Sequence, residues 1–461
     1  MKSTITRRQF IQSAIVTSGA TAYSASSWGQ AAITSSASPN SKLNVACVGI
    51  ANMGSMPLRA SAVENLVAVC DVDWRENSKA WSKNTPAFNA SQVPHAKKFS
   101  DFREMIEVMN DDIDVVCVST PDHTHFPITL AAMEKGKHVF VQKPLSHNVW
   151  QVRTLRKAMH KYGVSTVMGN QGHTSDGIRS IKEWYDSGIL GEVREVHCWT
   201  DRPRGPWFIK PDTFPPAYPE VPAQLNWELW QGPVPEQSYS PEYVPVKWRA
   251  WWDYGVGCLG DIGCHCIDAP FYALNLGMPT AVDIELDQYF NSQFTPFGAH
   301  VTYHFPARGD KPPVTLHWYE GKFKPPILNG LDELPSNGMY MIGSEETVYH
   351  EGMRPYEPML WPKERNEVLK ERLAQKTIPR VEGGPVEELF YSLKDGPTPG
   401  SNFDYAAQLT EVVLLGGIAI RTGKRIEWDA EKMEITNHPE LNKYIKEPVR
   451  KGWEFGEDLW V

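Results

Sequence analysis

Residues 43–50 (LNVACVGI) are a continuous apolar run, the pattern of a strand covered on both faces in a parallel sheet. The run ends at Gly49, and ANMGSMPLRASAVE reads as the helix that follows, with Pro57 in its first turn, where a missing N–H costs little. Apolar runs at 65–73, 112–120, 138–144 and 164–170 read as further strands, and the segments 101–110, 125–135 and 149–161 between them read as helices. Strand and helix in alternation predict a doubly wound parallel sheet over residues 41–166. Beyond residue 170 the pattern changes. HVTYHFPA (300–307) and PVTLHWYEG (313–321) flank the turn RGDKP and predict an antiparallel pair, and YAAQLTEVVLLGGIAIRTGK (405–424) predicts a long core helix. The fold class expected is α/β, with an α+β domain and a largely antiparallel sheet over residues 167–461. ERNEVLKERLAQKTIPR reads as a solvated helix.

Composition narrows this picture only slightly. Hydrophobic residues make up 41% and charged residues 22% of the chain, as in an ordinary globular protein. No apolar run reaches eighteen residues, so no membrane span is expected. A net charge of −9 argues against nucleic acid as a partner. Seven cysteines, an odd number, do not form a disulfide framework, and Cys47, Cys70 and Cys117 fall in apolar runs, where Cys packs as a small hydrophobe. Prolines crowd residues 203–245 but alternate with Trp and Tyr, which predicts long ordered loops. At the start, TRRQFIQSAIVTSGATAYSASSWGQAA carries Arg7 and Arg8 ahead of Phe10 and a weakly apolar stretch. This resembles a twin-arginine export signal over residues 1–32, and the expected location is the periplasm or another exported compartment.

Four stretches carry candidate chemistry. The first is GIANMG, where Gly49, Ala51, Asn52, Met53 and Gly54 form a tight strand-to-helix loop whose backbone could approach a pyrophosphate. The usual second glycine of that motif is Ala51. Asp71 ends the second strand 22 residues after Gly49, where a carboxylate accepts hydrogen bonds from an adenosine ribose. A carboxylate repels a ribose phosphate, so NAD is favoured, and Arg75 nearby keeps NADP open. The second stretch, STPDHTHFP, ends the third strand and makes Thr120, Pro121 and His123 cofactor neighbours. His125 reads equally as an ordinary helix-start residue. In the third, VFVQKPLS, Gln142 and Lys143 sit at a strand end, where a lysine could polarise a substrate hydroxyl. The fourth, CLGDIGCHCID, reads as one helix running to Gly277. Asp261, His265 and Asp268 then share a face. Cys264, His265 and Cys266 are each about 100° apart and cannot converge on one tetrahedral zinc. The remaining readings are an Asp–His metal pair, a plain buried helix, and a catalytic face with His265 as a base oriented by Asp261. The last is preferred, with no metal.

A glycine-rich loop, a lysine–proline pair after a strand and a glycine-rich D-x-x-x-H helix occurring together resemble the Gfo/Idh/MocA oxidoreductases, over roughly residues 43–325. The resemblance implies an NAD(P)-binding Rossmann domain, a C-terminal α/β domain with an open sheet, and a homo-oligomer, dimer or tetramer. It also implies that Lys143 is the catalytic lysine and that Asp261 and His265 line the substrate site, His265 as acid/base. The family commonly has Glu where this chain has Gln142. Its substrates are sugars and polyols, which makes Arg202, Trp207, Arg249 and Trp251, with Arg204 and Lys247 beside them, candidate sugar contacts. The expected function is an exported NAD-dependent oxidoreductase of a sugar, glycoside or cyclitol hydroxyl. An exported enzyme must hold its cofactor tightly. The alternative is a glycosidase that oxidises, eliminates and re-reduces on one retained NAD, and a non-enzymatic sugar-binding protein is a third reading.

Overall fold

The computed structural model describes residues 42–75, 95–287 and 292–461. The export segment read at 1–32 lies outside the described residues. Six parallel strands form the first sheet: β1 (Asn44–Val48), β2 (Asn65–Cys70), β3 (Lys97–Phe99), β4 (Val115–Val118), β5 (His138–Gln142) and β6 (Thr166–Gly169). Their order is β3-β2-β1-β4-β5-β6, so the winding reverses between β1 and β4 and opens a crevice at the strand C-termini there. The core strands are buried on both faces, as the unbroken apolar runs require. Val116, Val118, Val139 and Val141 face the helices Phe102–Val108, Asp122–Glu134 and Val149–Tyr162.

The opposite face is closed from far along the chain. Val45, Cys47, Val115, Cys117 and Phe140 pack against Val386, Leu389, Phe390 and Leu393, on and just after the helix Pro385–Ser392. The C-terminal tail also returns to this domain. Trp453 packs on Phe102 with ring centroids 6.0 Å apart, and Trp460 stacks on Trp150 at 6.1 Å. A linear division at residues 166/167 therefore does not describe how the first sheet is covered.

The second sheet has nine strands: β7 (Val193–Thr200), β8 (Ala281–Leu286), β9 (Ala299–Phe305), β10 (Val314–Glu320), β11 (Asn337–Gly343), β12 (Thr347–Glu351), β13 (Met359–Trp361), β14 (Ile426–Asp429) and β15 (Glu434–Ile435). Their order is β13-β12-β11-β7-β10-β9-β8-β14-β15, and only β7 and β10 pair in parallel. The expected β9–β10 hairpin is present, registered Val314 to Phe305 and Glu320 to Ala299. Val301, Tyr303 and Phe305 on β9 point into the core, where the helix Phe403–Thr422 lies. Gly416 of that helix leaves room for the Tyr303 ring, since a Cβ there would lie 2.0 Å from the Tyr303 hydroxyl. By length and composition this helix could cross a membrane, but most of it is buried inside the protein. It is the core helix of the second domain.

Three elements differ from the sequence reading. The segment after Gly49 is a turn Asn52–Gly54, a six-residue helix Ser55–Ala60 and another turn, rather than one helix. The expected solvated helix near 364–380 is two single turns, Arg365–Val368 and Lys370–Leu373. The helix expected to run to Gly277 breaks at Ile267 into Gly257–Cys266 and Asp268–Leu274. Pro270 causes this break, because it offers no N–H to the Cys266 carbonyl four residues earlier. That carbonyl accepts instead from the Cys198 thiol at 3.3 Å.

Candidate functional site

The cleft runs along the C-terminal ends of β1, β2, β4 and β5. Gly49 sits at φ +76, and a Cβ there would lie 2.7 Å from the Ser119 carbonyl group, so only glycine fits the crossing of these two loops. Gly54 is equally constrained, with the Gly49 oxygen 2.0 Å from where its Cβ would stand. It closes the loop without reaching the cleft wall. Ala51 is extended at φ −92, so its methyl group costs the backbone nothing. This is the physical reason the motif tolerates alanine there. Asn52 takes a left-handed φ of 50.

Gly49, Ala51, Asn52, Met53, Asp71, Thr120, Pro121, Gln142 and Lys143 all line the cleft. The Asp71 carboxylate accepts from the Ile50 N–H at 3.1 Å and the Asp73 N–H at 3.0 Å, which fixes it beside the loop. Arg75 is held by Asp73 at 2.8 Å. His123 is a correction. It is buried between Trp230 and Tyr254, its ring nitrogens 2.8 and 3.3 Å from their carbonyl oxygens, and it forms no part of the wall. Burial holds it neutral, pushing its pKa down to about 3. His125 lies between the Thr120 and Pro144 carbonyls, its ring nitrogens 2.9 and 2.8 Å from them, where the exits of β4 and β5 meet.

At the other end of the cleft the chain gathers charge on one carboxylate. Lys143 Nζ donates to Asp261 Oδ1 at 2.8 Å and also to its backbone oxygen. Arg202 donates to Oδ2 at 2.8 Å and Arg249 to Oδ1 at 3.3 Å. Burial opposes ionisation of Asp261, but these three cations outweigh it and hold the carboxyl far below the usual range. Asp261 therefore pairs with cations and does not orient His265. That task falls to Asn170, at the end of β6. Asn170 Nδ2 donates to the Cys264 carbonyl at 2.7 Å, which turns its Oδ1 toward His265 Nδ1, also at 2.7 Å. His265 must then carry its proton on Nδ1 and a lone pair on Nε2. Burial, then Lys143 and Arg354, push its pKa well below the ordinary value. His265 is buried one helical turn beyond Asp261 and is not itself among the residues that line the cleft. Asp268, the third residue expected on this face, turns away past the helix break to His173 and Tyr405. Cys264 and Cys266 are buried and free.

Trp207 is half-buried, with the Arg202 guanidinium 4.5 Å over its ring. Trp251 is a correction. It is core, packed edge-on against Tyr243 and Phe294 with its indole N–H on the Glu242 carbonyl. Its neighbour Trp248 lines the cleft instead, beneath Arg249. Arg204 and Lys247 pair with Asp201 and Glu242. Sequence reading also missed Asn170 and Trp453, the latter a wall residue from the C-terminal tail.

Asp122 is a further buried wall residue. Burial raises its pKa to about 7, against the pull of Lys143 and Arg249. Its carboxyl keeps in the folded chain a proton that the unfolded chain loses near pH 4. Stability therefore falls as pH rises from about 4 to about 7, and the whole penalty is present above that. Asp122→Asn is expected to raise Tm by several degrees at pH 8 and by clearly less at pH 5. Equal shifts at both pH values, measured by calorimetry, would contradict this protonation.

A family model described as "Oxidoreductase family, NAD-binding Rossmann fold" matches residues 43–170, and a second, "Oxidoreductase family, C-terminal alpha/beta domain", matches residues 178–305. The chain belongs to the Gfo/Idh/MocA family. Among curated relatives, scyllo-inositol 2-dehydrogenase (NADP(+)) IolW of Bacillus subtilis is 26% identical over 180 residues, 39% of this chain and 39% of the relative. A glycosyl hydrolase family 109 protein of Saccharopolyspora erythraea is 27% identical over 157 residues, 33% of each chain. The chain thus spans less than half the length of the curated relatives it matches. The solved WlbA dehydrogenase of Bordetella pertussis, in complex with NADH and UDP-GlcNAcA, shares the fold with a TM-score of 0.57 at 15% identity, covering 84% of this chain and 99% of that one.

The N-terminal domain is the family's NAD-binding fold, and its cleft suits that cofactor on its own chemistry. Asn52 Oδ1, Ser119 Oγ, Thr120 Oγ1 and Gln142 Nε2 are buried without a hydrogen-bond partner among the described residues, and all four residues line the cleft. Buried polar atoms of this kind need a polar ligand to satisfy them. Gly49 allows the tight crossing of this loop with the β4 exit, and Asp71 stands at the second strand's end, where a ribose hydroxyl could donate to it.

Proposed function

We propose that the protein is an NAD-dependent oxidoreductase acting on a secondary hydroxyl of a sugar, glycoside or cyclitol. The observation that supports it most strongly is the Lys143–Asp261 ion pair in the cleft wall, with a neutral imidazole one turn away whose Nε2 carries the lone pair. Bound NAD supplies the hydride acceptor. The substrate hydroxyl lies against Lys143, whose ammonium group donates a hydrogen bond to the oxygen as negative charge develops on it. His265 Nε2 takes the hydroxyl proton, and the resulting imidazolium is stabilised by Asn170 Oδ1. Asp261 positions Lys143 and neutralises part of the positive field. Gly49, Asn52 and Thr120 hold the cofactor phosphates, Asp71 holds the adenosine ribose, and Arg202, Trp207, Arg249 and Trp248 face the carbohydrate.

Arg7 and Arg8 support an exported enzyme that keeps its cofactor through each cycle. The match to a glycosyl hydrolase family 109 protein favours one second reading, in which the oxidised sugar loses a glycosidic substituent and is then reduced again, with no net change in NAD. The test begins with the purified full chain, denatured and examined by absorbance and mass spectrometry. NAD(H) in near-equimolar amount is the expected result. Sugars, polyols and glycosides are then added to the loaded protein, and nicotinamide reduction and sugar release are followed together. Reduction without release supports the oxidoreductase. Release without net reduction moves the assignment to the second reading. Neither signal from any carbohydrate, with cofactor bound, overturns both.

A further inference from the structure

The end of the cleft beside Asp71 is finished by residues from far along the chain. The Asp71 N–H donates to the Phe99 carbonyl at 3.1 Å, so the exits of β2 and β3 run side by side, and Asp71, Val72, Ser100, Asp101 and Phe102 line the cleft there. Trp453 of the C-terminal tail lines the cleft next to them. Its ring centroid is 6.0 Å from that of Phe102, and the Arg103 guanidinium lies 4.8 Å from it. A Cβ at Gly232 would lie 3.8 Å from the Trp453 ring and 2.7 Å from the Thr124 methyl group, and Thr124 is also a wall residue. Trp453 thus reaches from the start of the helix after β3 to the start of the helix after β4.

Backbone-directed bonds fix the tail in this place. The Arg450 N–H donates to the Pro233 carbonyl at 2.9 Å, its Nε to the Gly232 carbonyl at 2.8 Å and its Nη2 to the Glu228 carbonyl at 2.9 Å. The Trp453 N–H turns back to the Arg450 carbonyl at 3.1 Å. The segment that Arg450 grips is itself tied to the β2 exit: the Asn226 N–H donates to the Val72 carbonyl at 2.8 Å, and the Trp74 N–H to the Gln224 carbonyl at 3.1 Å. Trp453 is only 4% exposed, and the tail lies beyond both family matches.

Adenine is flat and gains most from an apolar wall that includes an aromatic ring. With the ribose at Asp71, the base it carries falls among Val72, Phe102 and Trp453. We propose that Trp453 is the adenine-binding wall of the cofactor site and that Arg450 is the positioning residue that holds the tail against the base. A tail tied in this way slows the release of NAD. The inference rests on the proposed oxidoreductase only for its cofactor, not for its reaction.

The test titrates the full chain, freed of nucleotide, with ADP-ribose and with nicotinamide mononucleotide, which lacks the adenosine half, and follows NAD release from the loaded chain by gel filtration and mass spectrometry. Trp453→Leu is expected to weaken ADP-ribose about tenfold to a hundredfold and to speed NAD release by a similar factor, with nicotinamide mononucleotide unchanged. Trp453→Phe, which keeps a ring, should stay within about threefold of the parent. Arg450→Gln should give a smaller loss with the same preference for the adenosine half, Arg450→Lys should restore part of it, and both serve as the readout if the Trp453 variants do not fold. Unchanged ADP-ribose affinity, an equal loss for both ligands, or Phe no better than Leu would leave Trp453 as packing for the tail and overturn the assignment. ADP-ribose binding that depends on Trp453, with no carbohydrate oxidised, keeps the adenine wall and sinks the oxidoreductase. No binding of NAD or ADP-ribose by the parent sinks both.

Discussion

Replacing Lys143 by Met is expected to lower kcat by about a thousandfold, and His265→Ala by a comparable factor, within the range that a positioned acid or base supplies. The two losses have different origins. Among the described residues Lys143 is the one donor to Asp261 that comes from the first sheet, and its removal leaves Arg202 and Arg249 to draw Asp261 away. His265→Ala removes the proposed proton acceptor and should leave cofactor affinity within a few-fold of the parent. The pH profile separates a base from a structural residue. Because burial, Lys143 and Arg354 all disfavour the imidazolium, the acid limb of kcat/KM should fall below the ordinary histidine value of about 6.5. Asn170→Asp places a carboxylate on the Nδ1 proton and should move that limb upward in pH. An acid limb at or above 6.5 in the parent, or one unmoved in Asn170→Asp, would remove His265 from the proton-transfer role.

The first sheet was legible because burial on both faces leaves no choice of residue: Val45 to Val48 and Val115 to Val118 are apolar throughout. Gly49, Asp71 and Lys143 were legible because each sits at a strand end, where a tight crossing or a ligand restricts the side chain. Long-range packing left no such mark. Nothing local in the run 385–393 says that it covers β1 and β4, and Asp261 meets Lys143 across 118 positions. The apolar period over 258–277 predicts one helix, but Pro270 breaks it, so Asp268 leaves the face that Asp261 and His265 occupy. Tryptophan was ambiguous in the same way. Trp248 and Trp251 are three residues apart in a turn, and only the surrounding Tyr243 and Phe294 decide that the second is core. His123 reads as a cofactor neighbour because it follows a strand end, yet Trp230 and Tyr254, more than a hundred positions away, supply its partners.

Gly49→Ala is expected to abolish detectable NAD binding, while Asp71→Ala weakens it by about tenfold to a hundredfold. The first effect is steric. Alanine at φ +76 is strained in any surroundings, and here its methyl group would also stand 2.7 Å from the Ser119 carbonyl and 2.8 Å from the Thr120 nitrogen. Those are backbone atoms of the neighbouring strand exit and cannot rotate aside. The loop must therefore move away from Ser119 and Thr120, whose hydroxyls are among the buried atoms that the cofactor is expected to satisfy. The second effect is chemical. A charged acceptor for a ribose hydroxyl contributes about 1.5–3 kcal/mol, and its loss sets the size of the affinity change. Asp71 also accepts the Ile50 N–H, so part of the loss comes through the loop itself. The two contributions separate by cofactor. Removing a carboxylate that repels a ribose phosphate should weaken NADP much less than NAD, or strengthen it, whereas loop damage weakens both alike. Titration of the apo protein with each cofactor, followed by calorimetry, gives the ratio. Equal losses for NAD and NADP in Asp71→Ala would leave Asp71 as a brace for the loop and take the cofactor preference away from it.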